Sequence, residues 1–197
     1  MSNEQSDIPL RSISLVAVEK SSDLIENIIM ILKMLFKEQV SIVLLLSNRP
    51  VRHFLSKANE LNLNLASFLS QKQLSIVDLT SRHIGDRLED IPNAFYVSSP
   101  SDISEIALVV SDALSSMQLK GEKIMLVDSV STLTLYNTTG GILRFLHFLL
   151  SKLRVLEFGG LIIIIKDELL DPMVQSLKQY CDNLFILDDG KIKACKK

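Results

Sequence analysis

The stretch Lys123-Ile124-Met125-Leu126-Val127-Asp128-Ser129 is an apolar run that ends on a carboxylate and a hydroxyl. Open α/β sheets bind ligands at the carboxyl ends of their strands, and an Asp in that place can orient Mg²⁺ against nucleotide phosphates. Asp128 and Ser129 are therefore candidate nucleotide contacts, with Asp128 the candidate Mg²⁺ ligand. Apolar strands also end in Asp simply because the chain re-enters water, so the residues alone leave both readings open. Lys20 and Ser21 follow another apolar run and offer an ammonium and a hydroxyl to the same kind of ligand. Their surroundings oppose that role. Glu19 and Asp23 set negative charge beside a site meant for polyphosphate, where close like charges repel. A loop that cradles phosphates also needs glycines, because its N–H groups must converge at distances a Cβ obstructs. No glycine precedes Gly85.

Other chemistry-bearing residues form weaker patterns. His53, His83 and His147 fall in different elements without paired metal-ligand spacing. Ser129, Ser131 and Thr132 could bond an anion or cap a strand-to-helix turn, and no GxSxG elbow accompanies them. Arg144 and Arg154 lie on one long helical pattern and read either as fingers reaching across a subunit boundary or as solvent-facing residues. Glu19, Asp78 and Lys166 each close a strand-like run, the raw material of a receiver-like phosphorylation site. A receiver wants an acidic pair after its first strand, however, and only Glu19 stands there. Cys181 and Cys195 have no metal spacing and are expected to be reduced thiols. Asn137-Thr138-Thr139 fits a glycosylation acceptor, which a cytoplasmic chain would not use.

These residues are positioned by strand-like runs that alternate with helical patterns, the signature of βαβ units and a mostly parallel sheet buried on both faces. Strands are expected at 12–18, 41–46, 74–79, 123–127 and 161–165, with a short one at 95–97. Helices are expected at 24–37, from Pro50 to about 61, from Ser101 to about 117, at 142–158 and at 171–180. Gly159 and Gly160 are expected to end the fourth of these helices. The connection from Thr80 to Ser99, with Gly85 and Pro92, is irregular and is expected to be the most mobile part. Asp188, Asp189 and Gly190 signal a hairpin between 183–187 and 191–194.

The motifs from the centre onward carry a resemblance. Ser99-Pro100-Ser101-Asp102, the run Asp128 to Leu133 and the run Arg144 to Leu149 resemble the Ser-Pro-x-Asp helix start, Asp-Ser-x-Ser-Thr-Leu strand end and Arg-Phe-x-x-x-Leu helix of uncharacterised archaeal KaiC-like domains. That branch belongs to the RecA/KaiC/RadA P-loop ATPase superfamily, and the likeness covers residues 98 to 188. It implies a three-layer αβα RecA-like fold with a mostly parallel central sheet, here with a C-terminal β-hairpin. It also implies that Asp128 marks a Walker B-like strand. The family's phosphate-binding loop would fall at Val18 to Asp23, where the glycines are missing, so the Walker A loop is degenerate. The family's water-activating Glu, placed after the second strand, would fall in Ser47-Asn48-Arg49-Pro50, which holds no carboxylate.

Composition narrows the partners. The 21 basic and 23 acidic residues leave a net charge of −2, without the basic footprint of a nucleic-acid binder. The apolar content is 47%, yet no run approaches the 18 or more residues of a membrane span. Residues 1–11 are expected to be a disordered segment and 12–197 one domain, cytoplasmic and without a secretion leader. The function expected is a non-hydrolysing regulatory or protein-interaction module whose partner is a copy of itself, a related ATPase or a signalling protein. Two readings compete with it: an ATP/Mg²⁺-binding protein or ATPase whose unorthodox loop uses Lys20, Ser21, Asp128 and Ser129, and the receiver-like switch.

Overall fold

The computed structural model describes residues 8–19, 24–117, 121–188 and 190–195. Their elements run β1 (Ile13–Val18), α1 (Leu24–Lys37), β2 (Ser41–Leu46), α2 (Val51–Glu60), α3 (Ala66–Ser70), β3 (Leu74–Asp78), β4 (Ala94–Tyr96) and α4 (Ile103–Ser116). After these come β5 (Lys123–Asp128), α5 (Val130–Leu133), α6 (Thr139–Val155), β6 (Gly159–Ile165), a 3-10 turn (Lys166–Leu170), α7 (Pro172–Lys178), β7 (Asn183–Asp188) and β8 (Lys191–Cys195). The strands form one sheet in the order β4-β3-β2-β5-β6-β1-β7-β8. Every pairing is parallel except that of β7 with β8, the C-terminal hairpin.

Side chains alternate across a strand, and here both sides are apolar, so helices must cover both. Ile13, Leu15 and Ala17 of β1, Val43 and Leu45 of β2, and Met125 and Val127 of β5 face one layer, packed with α4, α6 and α7. Val16 and Val18, Ile42, Leu44 and Leu46, and Ile124 and Leu126 face the other, packed with α1, α2 and α3. The helices show the matching period. In α6 the buried residues are Ile142, Phe145, Leu146, Leu149, Leu150 and Leu153, a stripe one side wide. None of the helices among the described residues is long and apolar enough to cross a membrane.

The expected strands and helices are present, with three corrections. Helix α6 starts at Thr139, earlier than the apolar pattern shows, because the Thr138 hydroxyl caps it by accepting from the Gly141 N–H at 3.2 Å. It ends at Val155, and the residue that takes the left-handed backbone there is Glu157, with φ 57°. Gly159 and Gly160 do not end the helix; they open strand β6. Their small size serves packing. A Cβ on Gly159 would lie 2.2 Å from the carbonyl oxygen of Leu10, a main-chain atom, whereas one on Gly160 would meet the tip of Ile13 Cδ1 at 2.9 Å. The helical turns at 66–70, 130–133 and 166–170 are additions that short, mixed sequences did not signal.

The two glycines thus differ in what a methyl group would displace. Gly159→Ala should cost about 2–3 kcal/mol, the upper part of the usual overpacking range, because backbone must move. Gly160→Ala should cost clearly less, since a side-chain end can rotate away. Urea unfolding midpoints of the two variants check this, and equal losses would contradict it.

Candidate functional site

Register brings three strand ends level at the carboxyl edge of the sheet. Leu46 at the end of β2 pairs with Asp78 on one side and Asp128 on the other. Neighbouring strands lie roughly 4.8 Å apart, so the two aspartates flank β2 with main-chain positions about 10 Å from each other. Ser47 continues β2 and binds to both neighbours. Its N–H and hydroxyl donate to the Asp128 carbonyl, and its own carbonyl accepts from the Thr80 hydroxyl at 3.2 Å.

The two carboxylates have opposite environments. Asp78 is wholly buried and saturated: Oδ2 accepts from the Val51 N–H at 2.7 Å and the Ser81 hydroxyl at 2.6 Å, and Oδ1 from the N–H groups of Thr80 at 2.7 Å and Ser81 at 2.9 Å. It pins the start of α2 and the turn after β3. A carboxylate so enclosed has no oxygen to offer a phosphoryl donor, which removes the basis of a receiver-like switch. Asp128 is 2% exposed, and among the described residues its Oδ1 has no hydrogen-bond partner. Burial pushes its pKa up to about 7, and the nearby positive charge of Arg49 works against that rise. Arg49 comes from the segment after β2 where the family resemblance would place a catalytic Glu. That segment, expected to hold no carboxylate, carries a half-buried cation.

Among the expected hydroxyls, Ser129 is buried at the start of α5, but its side chain accepts no backbone N–H and lies 3.4 Å from the Thr132 hydroxyl. Capping is therefore not its role. Ser131 donates to Glu168 of the 3-10 turn, and the same Glu168 oxygen accepts from the Ile165 N–H at 3.3 Å. Lys166, at the start of that turn, pairs with Glu19 beyond the end of β1. Because β6 lies between β5 and β1, these two contacts form a polar brace across three strand ends. Lys20 and Ser21, the other candidate nucleotide contacts, lie outside the described residues, as do Asp23 and Asp189.

Several of the other candidates have local partners. Arg154 binds the Asp182 carboxylate at 3.0 Å and the Tyr180 carbonyl at 2.9 Å, which commits it to its own chain. His147 meets Tyr180 edge-on at 5.3 Å, and His83 meets Tyr136 at the same distance. Among the described residues no group of three or more His, Cys, Asp or Glu could hold a metal ion. Cys181 and Cys195 are free thiols, the first buried. Arg49 and Glu168 were missed as site residues. Arg49 was visible only as a missing carboxylate, and nothing in the sequence pairs Glu168 with Ser131.

Two expectations follow from the aspartates. Asp78→Ala leaves the N–H groups of Val51, Thr80 and Ser81 without their acceptor and should cost about 3 kcal/mol or more in urea unfolding. For Asp128, folding raises the carboxyl above its ordinary value of 3.8. The folded chain therefore holds a proton that the unfolded chain has already lost. Its stabilising contribution is complete below that ordinary value and disappears as pH rises toward about 7. Asp128→Asn cannot ionise, so its stability relative to the parent should grow between about pH 4 and pH 8, by up to roughly 4 kcal/mol. Unfolding measured at both pH values checks the sign.

No family model matches this sequence, and no curated protein matches it. Solved structures do. The uncharacterized protein PH0321 from Pyrococcus horikoshii, crystallised in complex with an unknown peptide, superposes with a TM-score of 0.70 at 17% identity, over 95% of this chain and 83% of that one. The flagellar accessory protein FlaH from Methanocaldococcus jannaschii gives 0.62 at 13% identity, over 95% and 77%. Identities this low speak for fold alone. The architecture of this chain, a mostly parallel sheet between two helical layers with a C-terminal hairpin, is a RecA-like αβα fold matching these neighbours.

Proposed function

We propose that this chain is a RecA-like module that does not hydrolyse nucleotide and acts by binding a protein partner. The observation that carries the reading is Arg49. It stands where hydrolysis would need a carboxylate to activate water, and its charge acts on the one acid, Asp128, that a Mg²⁺ ion would use. A positive charge that already acts on Asp128 opposes the binding of a divalent ion there. The glycine-free stretch before Gly85 supports the same conclusion from the phosphate side. The protein nature of the partner draws on PH0321, a neighbour in fold that was crystallised with a peptide.

One observation favours the competing reading of an ATP- and Mg²⁺-binding protein built on Lys20, Ser21, Asp128 and Ser129. The Oδ1 of Asp128 is a buried acceptor, unpartnered among the described residues, that a ligand's donor or cation would satisfy. The readings separate in a melting experiment. A site with a Kd of about 10 μM, given about 1 mM ATP and Mg²⁺, would stabilise the chain by about 2.7 kcal/mol and raise Tm by roughly 5–10 °C. The proposal expects no such rise and no heat in calorimetric titration. Micromolar affinity in either measurement replaces it with the nucleotide-binding reading.

A further inference from the structure

Away from the strand ends, helices α4 and α6 leave a groove of about 570 Å³ between them. Its size falls within the roughly 300–1,000 Å³ of ordinary ligand sites. Ile103 and Ala107 of α4 and Phe145 and Phe148 of α6 line it, with Tyr136 beside them. Phe148 is 47% exposed and Leu108, the next residue along α4, is 63% exposed. Two large apolar side chains therefore face water, Phe148 in the wall of the cleft and Leu108 next in sequence to its Ala107, although both helices have already filled their core-facing stripes.

The charged side chain that lines this cleft is basic, and a second basic one reaches its Phe148. Arg144 lines it and, among the described residues, makes no hydrogen bond or ion pair. Lys152 stands further along α6, its Nζ 5.9 Å from the Phe148 ring centroid and 2.6 Å from the Ser111 hydroxyl on α4. No acidic side chain lines the groove. The acids of α4 lie outside its lining: Asp102 caps the helix by accepting from the Glu105 N–H, Glu105 holds Ser98, and Asp112 is exposed one residue beyond Ser111. Arg144 and Lys152 are eight positions apart, about 12 Å along the helix axis, with Phe148 midway.

We propose that the α4–α6 groove is a docking site for an acidic amphipathic helix of a partner protein, its apolar side chains entering the cleft and its carboxylates, about two turns apart, meeting Arg144 and Lys152. This gives the partner surface and chemistry to the protein-binding module proposed above, and rests on that reading. Amphipathic helices lie in apolar grooves through anchors at i, i+3, i+4 and i+7, and opposite charge at the rim sets orientation and approach. A second copy of this chain is the poorer fit. A two-fold contact presents the same patch from both sides, which would set Arg144 and Lys152 against their own copies.

Random peptides displayed on phage and selected against the full chain test this. Enriched sequences should combine Leu, Phe or Trp with Asp and Glu. A labelled synthetic peptide of that sequence should bind roughly tenfold or more weakly to Arg144→Glu and to Phe148→Ser, and more weakly in high salt. Both side chains are exposed, so unchanged melting of the variants confirms that the fold is intact. The proposal is overturned by a failure to enrich, by enrichment of basic peptides, or by enriched peptides that bind both variants as well as the parent. In that last case the protein-binding reading survives with its surface elsewhere. A dimer in light scattering that Phe148→Ser dissociates gives the groove to a second copy instead. The ATP titration reads the loss of nucleotide chemistry separately, so the two conclusions fail independently.

Discussion

Both faces of the sheet are sealed, and that constraint orders everything else in the molecule. Strands β1, β2 and β3 are buried at every position, and β5 and β6 at nearly every one. Backbone pairing satisfies their main-chain polar groups, so almost no polar side chain has a place along them. Polar chemistry is pushed to the strand ends. There the parallel arrangement collects Glu19, Ser47, Asp78, Asp128 and Lys166 at one edge, whatever each of them does.

What they do depends on loop geometry, as the level pair Asp78 and Asp128 demonstrates. Each ends an apolar strand, and each pairs with Leu46. The turn after β3 and the start of α2 aim four donors at Asp78. The chain after β5 instead starts α5 and sends Ser131 toward Glu168, leaving Asp128 with an oxygen that nothing in the described chain satisfies. The same residue type at the same register is a structural tie in one strand and an energetically exposed acid in the next.

The strands and most helices were legible because long apolar runs bounded by Ser, Asn, Asp and Pro admit few alternatives once burial on two faces is required. The sequence also marked Asp128 as the notable strand end. It did not reveal why. The proximity of Arg49, the Ser131–Glu168 contact between residues 37 positions apart, and the Lys166–Glu19 pair between residues 147 apart are products of topology. No local pattern encodes them. Gly159 and Gly160 misled for a related reason: glycine after a helix usually supplies a left-handed turn, but here the demand came from Leu10 for the first and Ile13 for the second, a segment distant in sequence. The α4–α6 groove was hidden too, because Phe148 fits a helix period as well on the rim as in the core.

The polar brace over β6 has a consequence for how the molecule opens. Ser131 with Glu168 and Lys166 with Glu19 join the ends of β5, β6 and β1 through one short 3-10 turn. Local unfolding normally begins at strand ends, each fraying at its own small free energy. Three central ends fastened to a common turn cannot fray singly without breaking that turn's contacts. These contacts couple the three ends, so that fraying of one of them also costs contacts held by the others.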